Sequence, residues 1–163
     1  MLHVEATEIR LCPEADVDFD DARSLAQRIL DPASRTDDAI LSAEAVEMLS
    51  NHLLPGWYDD WVLPVAEEWH QLRLHALEAL SALFIRAGRV ADAVAAASVA
   101  AHAEPLRESA CTALIEAHLA EGNQAEALRH FQLYEQSLRT ELGLEPTSRL
   151  RELAAGLHAT RDR

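Results

Sequence analysis

The sequence predicts an all-α protein of stacked helical hairpins, with about seven helices. Three observations predict this. Hydrophobic residues make up 49% of the chain but aromatic residues only 5%, and the abundant alanine and leucine favour helix. Gly88 and Gly122 lie 34 residues apart, each between two stretches with helical periodicity. Ala93 and Ala127, five residues past each glycine, keep the same offset.

This spacing has a physical meaning. A hairpin of two helices exposes an apolar face that it cannot bury alone, so neighbouring hairpins must stack. Glycine suits the turn because it adopts positive φ, and alanine lets two helix backbones approach closely. A 34-residue period that ends near a proline, here Pro105, is typical of tetratricopeptide repeats. The alternative is an ordinary helical bundle whose turns happen to share the spacing.

At the N-terminus, apolar and polar residues alternate over Leu2–Val4 and Glu8–Leu11. This pattern predicts a short β-hairpin with its turn near Ala6-Thr7. Two strands alone are marginally stable, so they would have to pack on something else. Residues 1–17 are therefore interpreted as a linker or hairpin tail, before a helical domain over 18–159 and a frayed tail over 160–163.

Two helices are expected next. The first runs from about Asp18 to Leu30, with acidic residues in its first turn, where they favour the helix dipole. The second begins after Thr36 as a candidate N-cap and runs to about Leu49. This first hairpin does not keep the 34-residue spacing. It is interpreted as a degenerate or capping unit, as terminal repeats often are.

The segment from Leu54 to Val62 is the most distinctive local string. Pro55-Gly56 predicts a turn, and Trp57, Tyr58 and Trp61 follow within five residues. Large aromatics are mostly buried, so the first interpretation is that they fill the seam between the first hairpin and the repeats. The alternative is an exposed aromatic anchor for a protein partner.

Hydrophobic periodicity and the residues that start or end helices predict the remaining helices. One helix is expected from Pro64, which suits a first turn, to Ala87. The second helices of the two repeats are expected over about Val90–Ala103 and Gln124–Leu142, and a last helix over about Ser148–Ala159.

Stacked repeats of this kind form a groove lined by the first helix of each pair. The 34-residue register predicts which side chains face this groove: His75, Glu78, Ala82, Ile85 and Arg86 from the first repeat, and Ser109, Thr112, Glu116, Leu119 and Ala120 from the second. A groove with both signs of charge suits a peptide or helix of another protein. The alternative is that this face packs on the N-terminal hairpin or the C-terminal helix.

Charge and composition exclude several functions. The net charge is −14, and the first 69 residues hold 16 of the 28 acidic residues but only 4 of the 14 basic ones. Such a surface repels phosphate backbones, so we expect no DNA binding by these residues alone. There is no run of about 18 apolar residues and no signal-peptide pattern, so we expect a cytoplasmic protein.

No catalytic, cofactor or metal site is expected. The sequence contains no Gly-rich phosphate loop, no G-x-S-x-G and no paired Cys/His arrangement. Glu67 and His70 form one E-x-x-H, but di-iron bundles need this motif twice. The other histidines are scattered and are expected to be solvated or hydrogen-bonded. Cys12 and Cys111 are expected to be reduced, with Cys111 in the core.

Several ordered strings resemble the bacterial transcriptional activator domain of the Streptomyces antibiotic regulatory protein family, which is found in actinobacteria. The resemblance covers about Val17–Leu157. The strings that carry it are Leu54–Val62, Leu72–Leu80 (LRLHALEAL), Pro105–Ser109 (PLRES), Ala117–Leu128 (AHLAEGNQAEAL) and Leu138–Pro146 (LRTELGLEP).

The resemblance implies a tetratricopeptide-like domain that supports dimerisation and activation after a winged-helix DNA-binding domain. No basic winged helix precedes it in this sequence, and Met1–Asp18 is similar to the closing hairpin and linker between the two domains. The expected function is therefore a protein-interaction module of an activator, which self-associates or contacts the transcription machinery. The alternatives are a stand-alone adaptor and a small-molecule sensor.

Overall fold

The alternation of helix-forming stretches with glycine and proline produces seven α-helices in the described part of the chain. The structure is a computed structural model that describes residues 2–4, 9–11, 17–34 and 40–159. Its helices are α1 (Asp18–Leu30), α2 (Ala43–Ser50), α3 (Val62–Arg86), α4 (Val90–Ala103), α5 (Glu108–Glu121), α6 (Gln124–Leu142) and α7 (Ser148–Ala159), with one short 3-10 turn over Pro32–Ser34. The all-α prediction is confirmed.

The two predicted turn glycines end the first helix of each hairpin in the same way. Gly88 has φ +72° and Gly122 has φ +82°. After each glycine the next amide donates back across five residues, from Arg89 to the Phe84 carbonyl at 2.9 Å and from Asn123 to the His118 carbonyl at 2.8 Å. These bonds satisfy carbonyls that would otherwise be left open at the helix end.

The second helices of the hairpins also match each other. They begin at Val90 and Gln124, 34 residues apart. Asn123 caps α6, since its side chain accepts a hydrogen bond from the Glu126 amide at 3.3 Å. Ala93 and Ala127 are fully buried, so each second helix crosses its partner at a residue with almost no bulk.

The core forms two clusters along the stack. From α3 onward each helix packs on the next, and α3 also packs on α5. The larger cluster joins α1 to α5 and includes Leu77, Leu80 and Phe84. The smaller cluster joins α5, α6 and α7 through Ile115, Phe131 and other residues. Each hairpin therefore buries its apolar face against its neighbours.

The first hairpin differs from the prediction. The second helix begins at Ala43, and Ser42 is its N-cap, accepting from the Ala45 amide at 3.1 Å. The predicted continuous helix from Thr36 to Leu49 is wrong, because Ser42 has an extended backbone (φ −135°, ψ 158°) and the helix begins only after this cap. Thr36 itself lies outside the described residues. Helix α1 packs on both α2 and α3.

Two short strands precede the helices. Leu2–Val4 and Ile9–Leu11 pair antiparallel, with His3 opposite Arg10. The residues between them, including the predicted turn at Ala6-Thr7, lie outside the described part of the chain, so the hairpin stays a prediction. None of the described helices is both long and apolar enough to cross a membrane.

Candidate interaction surfaces

The aromatic segment, Leu54–Val62, lies between α2 and α3 and is exposed. Trp57 is 54% exposed, Tyr58 81% and Trp61 64%. The Trp57 amide donates to the Leu54 carbonyl at 3.1 Å, and Gly56 has φ +88°, the conformation that a Pro-Gly turn of type II requires. This turn directs the aromatic side chains away from the core.

The prediction that Trp57 and Trp61 fill the seam between the first hairpin and the repeats is therefore wrong. Trp69 of α3 occupies that place. It is 4% exposed and contacts Phe19 of α1 edge to face, with ring centroids 5.5 Å apart. Its indole donates to the Asn51 carbonyl at 3.0 Å. Since one buried tryptophan already joins α1 to α3, the other two remain on the surface.

Residues on both sides of the exposed aromatic side chains are anchored by contacts with α3 or by burial. On the α2 side, the guanidinium of Arg73, which is 1% exposed, donates to the Leu49 carbonyl at 3.4 Å and lies 3.3 Å from His52 Nδ1. Burial lowers the pKa of Arg73, and burial and the Arg73 charge lower the pKa of His52. On the α3 side Val62 is buried. Residues before the exposed aromatic side chains therefore contact α3, and the residue after them is buried at the start of α3.

The polar face, formed by His75 and Glu78 of α3 with Arg107 and Ser109 of the next hairpin, is the part of the predicted groove that the structure brings together. Glu78 Oε1 accepts from Arg107 Nε at 2.6 Å and from Ser109 Oγ at 2.8 Å. Arg107 Nη2 lies 3.1 Å from His75 Nδ1. Arg107 is not among the groove residues predicted from the sequence, although it lies in the Pro105–Ser109 string.

The rest of the predicted groove divides into two groups. Thr112 and Glu116 join Glu78 and Ser109 around a surface depression of about 340 Å³, which Leu150 of α7 also lines. Ile85 and Leu119 are partly buried against the two core clusters, and Ala82 is also partly buried. Arg86 and Ala120 are exposed near the ends of their helices.

The C-terminal helix bounds this face at one end. Glu108 at the start of α5 accepts from the Thr147 amide at 3.0 Å and from the Thr147 hydroxyl. Leu150 and Ala154 of α7 are buried in the smaller cluster. One interpretation of this face is a groove for a protein partner, and the other is a surface that packs on the C-terminal helix. Each has some support, because α7 covers one end of the face and the polar face remains at the other end.

The E-x-x-H pair does not converge. His70 Nε2 lies 3.3 Å from Glu104, and Glu67 accepts from Gln71 at 2.9 Å. Three other side chains, which were not predicted from the sequence, do lie together: His118, Glu126 and His130. The two histidines are not scattered in space, since their rings are stacked, but both are hydrogen-bonded as expected. The available signal was the i, i+4 spacing of Glu126 and His130, one helix after His118.

Cys111 lies in the core, as predicted, and is a free thiol. Burial, with a smaller contribution from Glu108, raises the pKa of Cys111 to about 12. The thiolate is the reactive form of cysteine, so burial favours the less reactive thiol form of this side chain. Cys12 lies outside the described residues.

The fold and these surfaces place the chain in the class of all-α domains built from stacked helical hairpins. A family model described as the bacterial transcriptional activator domain matches residues 17–158. The chain therefore belongs to the bacterial transcriptional activator domain family, and its function is related to transcriptional activation. No curated protein matches the chain.

Proposed function

We propose that this chain is the protein-interaction module of a bacterial transcriptional activator of the Streptomyces antibiotic regulatory protein type. It acts through protein contacts and does not bind DNA by itself. Recognition of DNA is assigned to an attached winged-helix domain. The observation that carries this proposal is the exposed aromatic segment, because exposed tryptophan and tyrosine in one place are typical of protein interfaces.

The exposed apolar side chains are concentrated there. Among the described residues, six of the nine exposed large hydrophobic side chains lie between positions 54 and 65. Trp57 and Trp61 contact each other edge to face, with ring centroids 6.5 Å apart. Leu63 and Val65, in the first turn of α3, are also exposed. Grouped apolar exposure of this kind marks an interaction site, whereas isolated exposed hydrophobics do not.

The acidic charge of the chain favours a protein over a nucleic acid as its partner. The net charge of −14 disfavours contact with nucleic acid. Asp59 and Asp60 lie within the aromatic segment, so a partner from the transcription machinery fits best if it offers an apolar patch with basic residues at its rim. In a contact with a second copy of the chain, the aromatic side chains would supply the attraction and the two aspartates would have to stay at the solvated rim. Self-association is the first form of this contact that we propose, and contact with the transcription machinery is the second.

The stack supports the interaction role in a second way. We infer a tetratricopeptide-like arrangement over residues 18–159, supported by two turn glycines and two helix starts that share the 34-residue offset. The polar face is a weaker candidate for a peptide site. Its central carboxylate, Glu78, already accepts two hydrogen bonds from within the chain, so a peptide would have to compete with them.

Sedimentation equilibrium tests the proposal. The chain is expected to dimerise, and the double variant Trp57→Ser, Trp61→Ser is expected to weaken the dimer at least about 100-fold, since interface tryptophans often contribute about 2 kcal/mol each. Leu133→Ser, at a side chain that is 49% exposed on α6, is the matched control and is expected to leave the dimer unchanged.

A chain that stays monomeric at all concentrations overturns self-association. Contact with the transcription machinery is then tested by binding to purified RNA polymerase. The unmodified chain, the double tryptophan variant and the Leu133→Ser control are compared. Equal binding by the double variant and the control, or no binding at all, overturns the role of the aromatic segment. A gel-shift assay is expected to show no DNA binding.

A cavity favours one further candidate, a small-molecule sensor. It has a volume of about 380 Å³, within the usual range for ligand pockets. Apolar side chains of α1, α2 and α3 line it, among them Phe19, Met48 and Trp69. An apolar effector is expected to raise the melting temperature of the chain and to lose this effect in Met48→Trp, which fills the cavity. An equal rise in the variant excludes this site.

A further inference from the structure

The turn at Gly122 brings two histidines and a carboxylate together across the second hairpin. His118 lies in the last turn of α5, and Glu126 and His130 lie one turn apart on α6. One nitrogen or oxygen atom from each side chain lies within 4.8 Å of the other two. The rings of His118 and His130 are stacked, with centroids 5.3 Å apart and planes 10° apart.

Hydrogen bonds identify one unprotonated nitrogen on each ring. His118 Nδ1 lies 3.2 Å from Glu121 Oε2. A carboxylate can only accept, so Nδ1 carries the proton and Nε2 keeps its lone pair. On His130, Nε2 lies 3.2 Å from Arg129 Nη2 and 3.9 Å from Glu126 Oε2. Arginine can only donate, so this Nε2 is also unprotonated.

We propose that His118, Glu126 and His130 bind a divalent transition-metal ion of the zinc type. Two neutral imidazoles and one carboxylate are a ligand set that Zn²⁺ uses when it keeps a fourth position open. Glu121 holds the His118 ring from behind, as carboxylates commonly do for metal-bound histidines. The metal would connect the two helices of the hairpin next to their turn.

The geometry needs only small side-chain movements. Zn–N and Zn–O bonds of about 2.0–2.1 Å in a tetrahedron put neighbouring ligands about 3.4 Å apart. Since the ligand atoms lie within 4.8 Å of one another, the three side chains must close by up to about 1.4 Å, which is within reach of χ rotations. The site opens onto a cavity of about 480 Å³ that His102 also lines. This cavity has room for water or His102 at the fourth position.

Arg129 contacts two of the three proposed ligands. Its Nε donates to Glu126 Oε2 at 2.8 Å while Nη2 faces His130. A metal ion and this guanidinium compete for the same carboxylate oxygen and the same imidazole nitrogen. Because Arg129 is exposed and on a flexible stem, it can turn outward when the metal enters. Its removal is therefore expected to strengthen metal binding.

The experiment is a titration of the chain with Co²⁺, followed by its visible absorption and by calorimetry. One equivalent is expected to give the intense bands of a four- or five-coordinate ion, which Zn²⁺ then displaces. His130→Gln and Glu126→Gln are each expected to weaken binding at least about tenfold, and Glu121→Gln by about 10–100-fold. His118 is left unchanged because it is buried.

Controls separate this site from general binding to histidines. His75→Gln, on the exposed side of α3, is expected to leave the affinity unchanged, and Arg129→Gln is expected to raise it. Circular dichroism confirms that each variant is folded. Equal weakening by His75→Gln and His130→Gln overturns the proposal. Spectra of a six-coordinate ion alone, or no saturable site, also overturn it.

Discussion

Arg107 and Glu78 join the two hairpins through a single short ion pair. Arg107 Nε and Glu78 Oε1 are 2.6 Å apart, and their side chains are only 16% and 14% exposed. A pair held this far from water is screened less than a surface pair, and the loss of one partner leaves the other poorly solvated. This pair therefore contributes to the stacking of α3 on the second hairpin.

Glu78→Gln tests this contribution. It keeps the shape of the side chain but removes the charge that Arg107 faces, and we expect the free energy of unfolding to fall by about 1–3 kcal/mol. Urea denaturation measures the change. Glu145→Gln breaks the Arg139–Glu145 pair, whose side chains are 59% and 55% exposed, and is expected to cost less than about 1 kcal/mol. Equal effects of the two variants would contradict the interpretation.

The buried alanines at the helix crossings should not accept larger side chains. Ala93→Leu and Ala127→Leu place extra methyl groups where each alanine is fully buried. Each is expected to lower the free energy of unfolding by about 1–3 kcal/mol. Ala95→Leu, on the exposed side of α4, is the control and is expected to change stability by less than about 0.5 kcal/mol. Thermal unfolding measures these changes. If Ala95→Leu destabilised the chain as much as Ala93→Leu and Ala127→Leu, close packing at the helix crossings would be refuted.

Substitution of either turn glycine should destabilise the chain because of its backbone conformation alone, without any steric clash. A Cβ built on Gly88 or Gly122 meets no described atom within 4 Å, but φ is positive at both. Gly122→Ala is therefore expected to destabilise the chain by about 1–2 kcal/mol. Gly156 within α7 is similarly open, and Gly156→Ala is expected to stabilise the chain by up to about 1 kcal/mol. Melting temperatures that shift in the same direction for both variants would contradict this account.

Stability should fall as the pH drops through about 6.5, because of His52. Its pKa is lowered from 6.5 by burial, by the charge of Arg73 and by His70. The unfolded chain therefore takes up this proton first, so acid favours unfolding. His52 is exposed, so the loss is expected to stay below about 1 kcal/mol. Urea denaturation at pH 7.5 and 5.5 measures it, and His52→Gln is expected to reduce the difference. If His52→Gln showed the same difference in the free energy of unfolding between the two pH values, His52 would not be its cause.

The sequence by itself determined the features that arise from interactions within a few residues. Turn glycines, proline positions and helix-forming stretches are local signals, so the all-α fold and the ends of α3, α5 and α6 could be predicted. The 34-residue offset of Gly88 and Gly122 also predicted the matching helix starts, because equal spacing produces equal hairpins. The start of α2 was missed, since several polar residues before Ser42 are equally suitable as caps.

The tertiary structure decided which side chains are buried and which meet. Trp57, Trp61 and Trp69 have the same apolar character, and only the packing of α1 on α3 selects Trp69 for the seam and leaves the other two on the surface. Arg107 meets Glu78, and His118 meets His130, because helices far along the chain are folded side by side. Such contacts depend on the relative placement of whole helices, which no local pattern specifies.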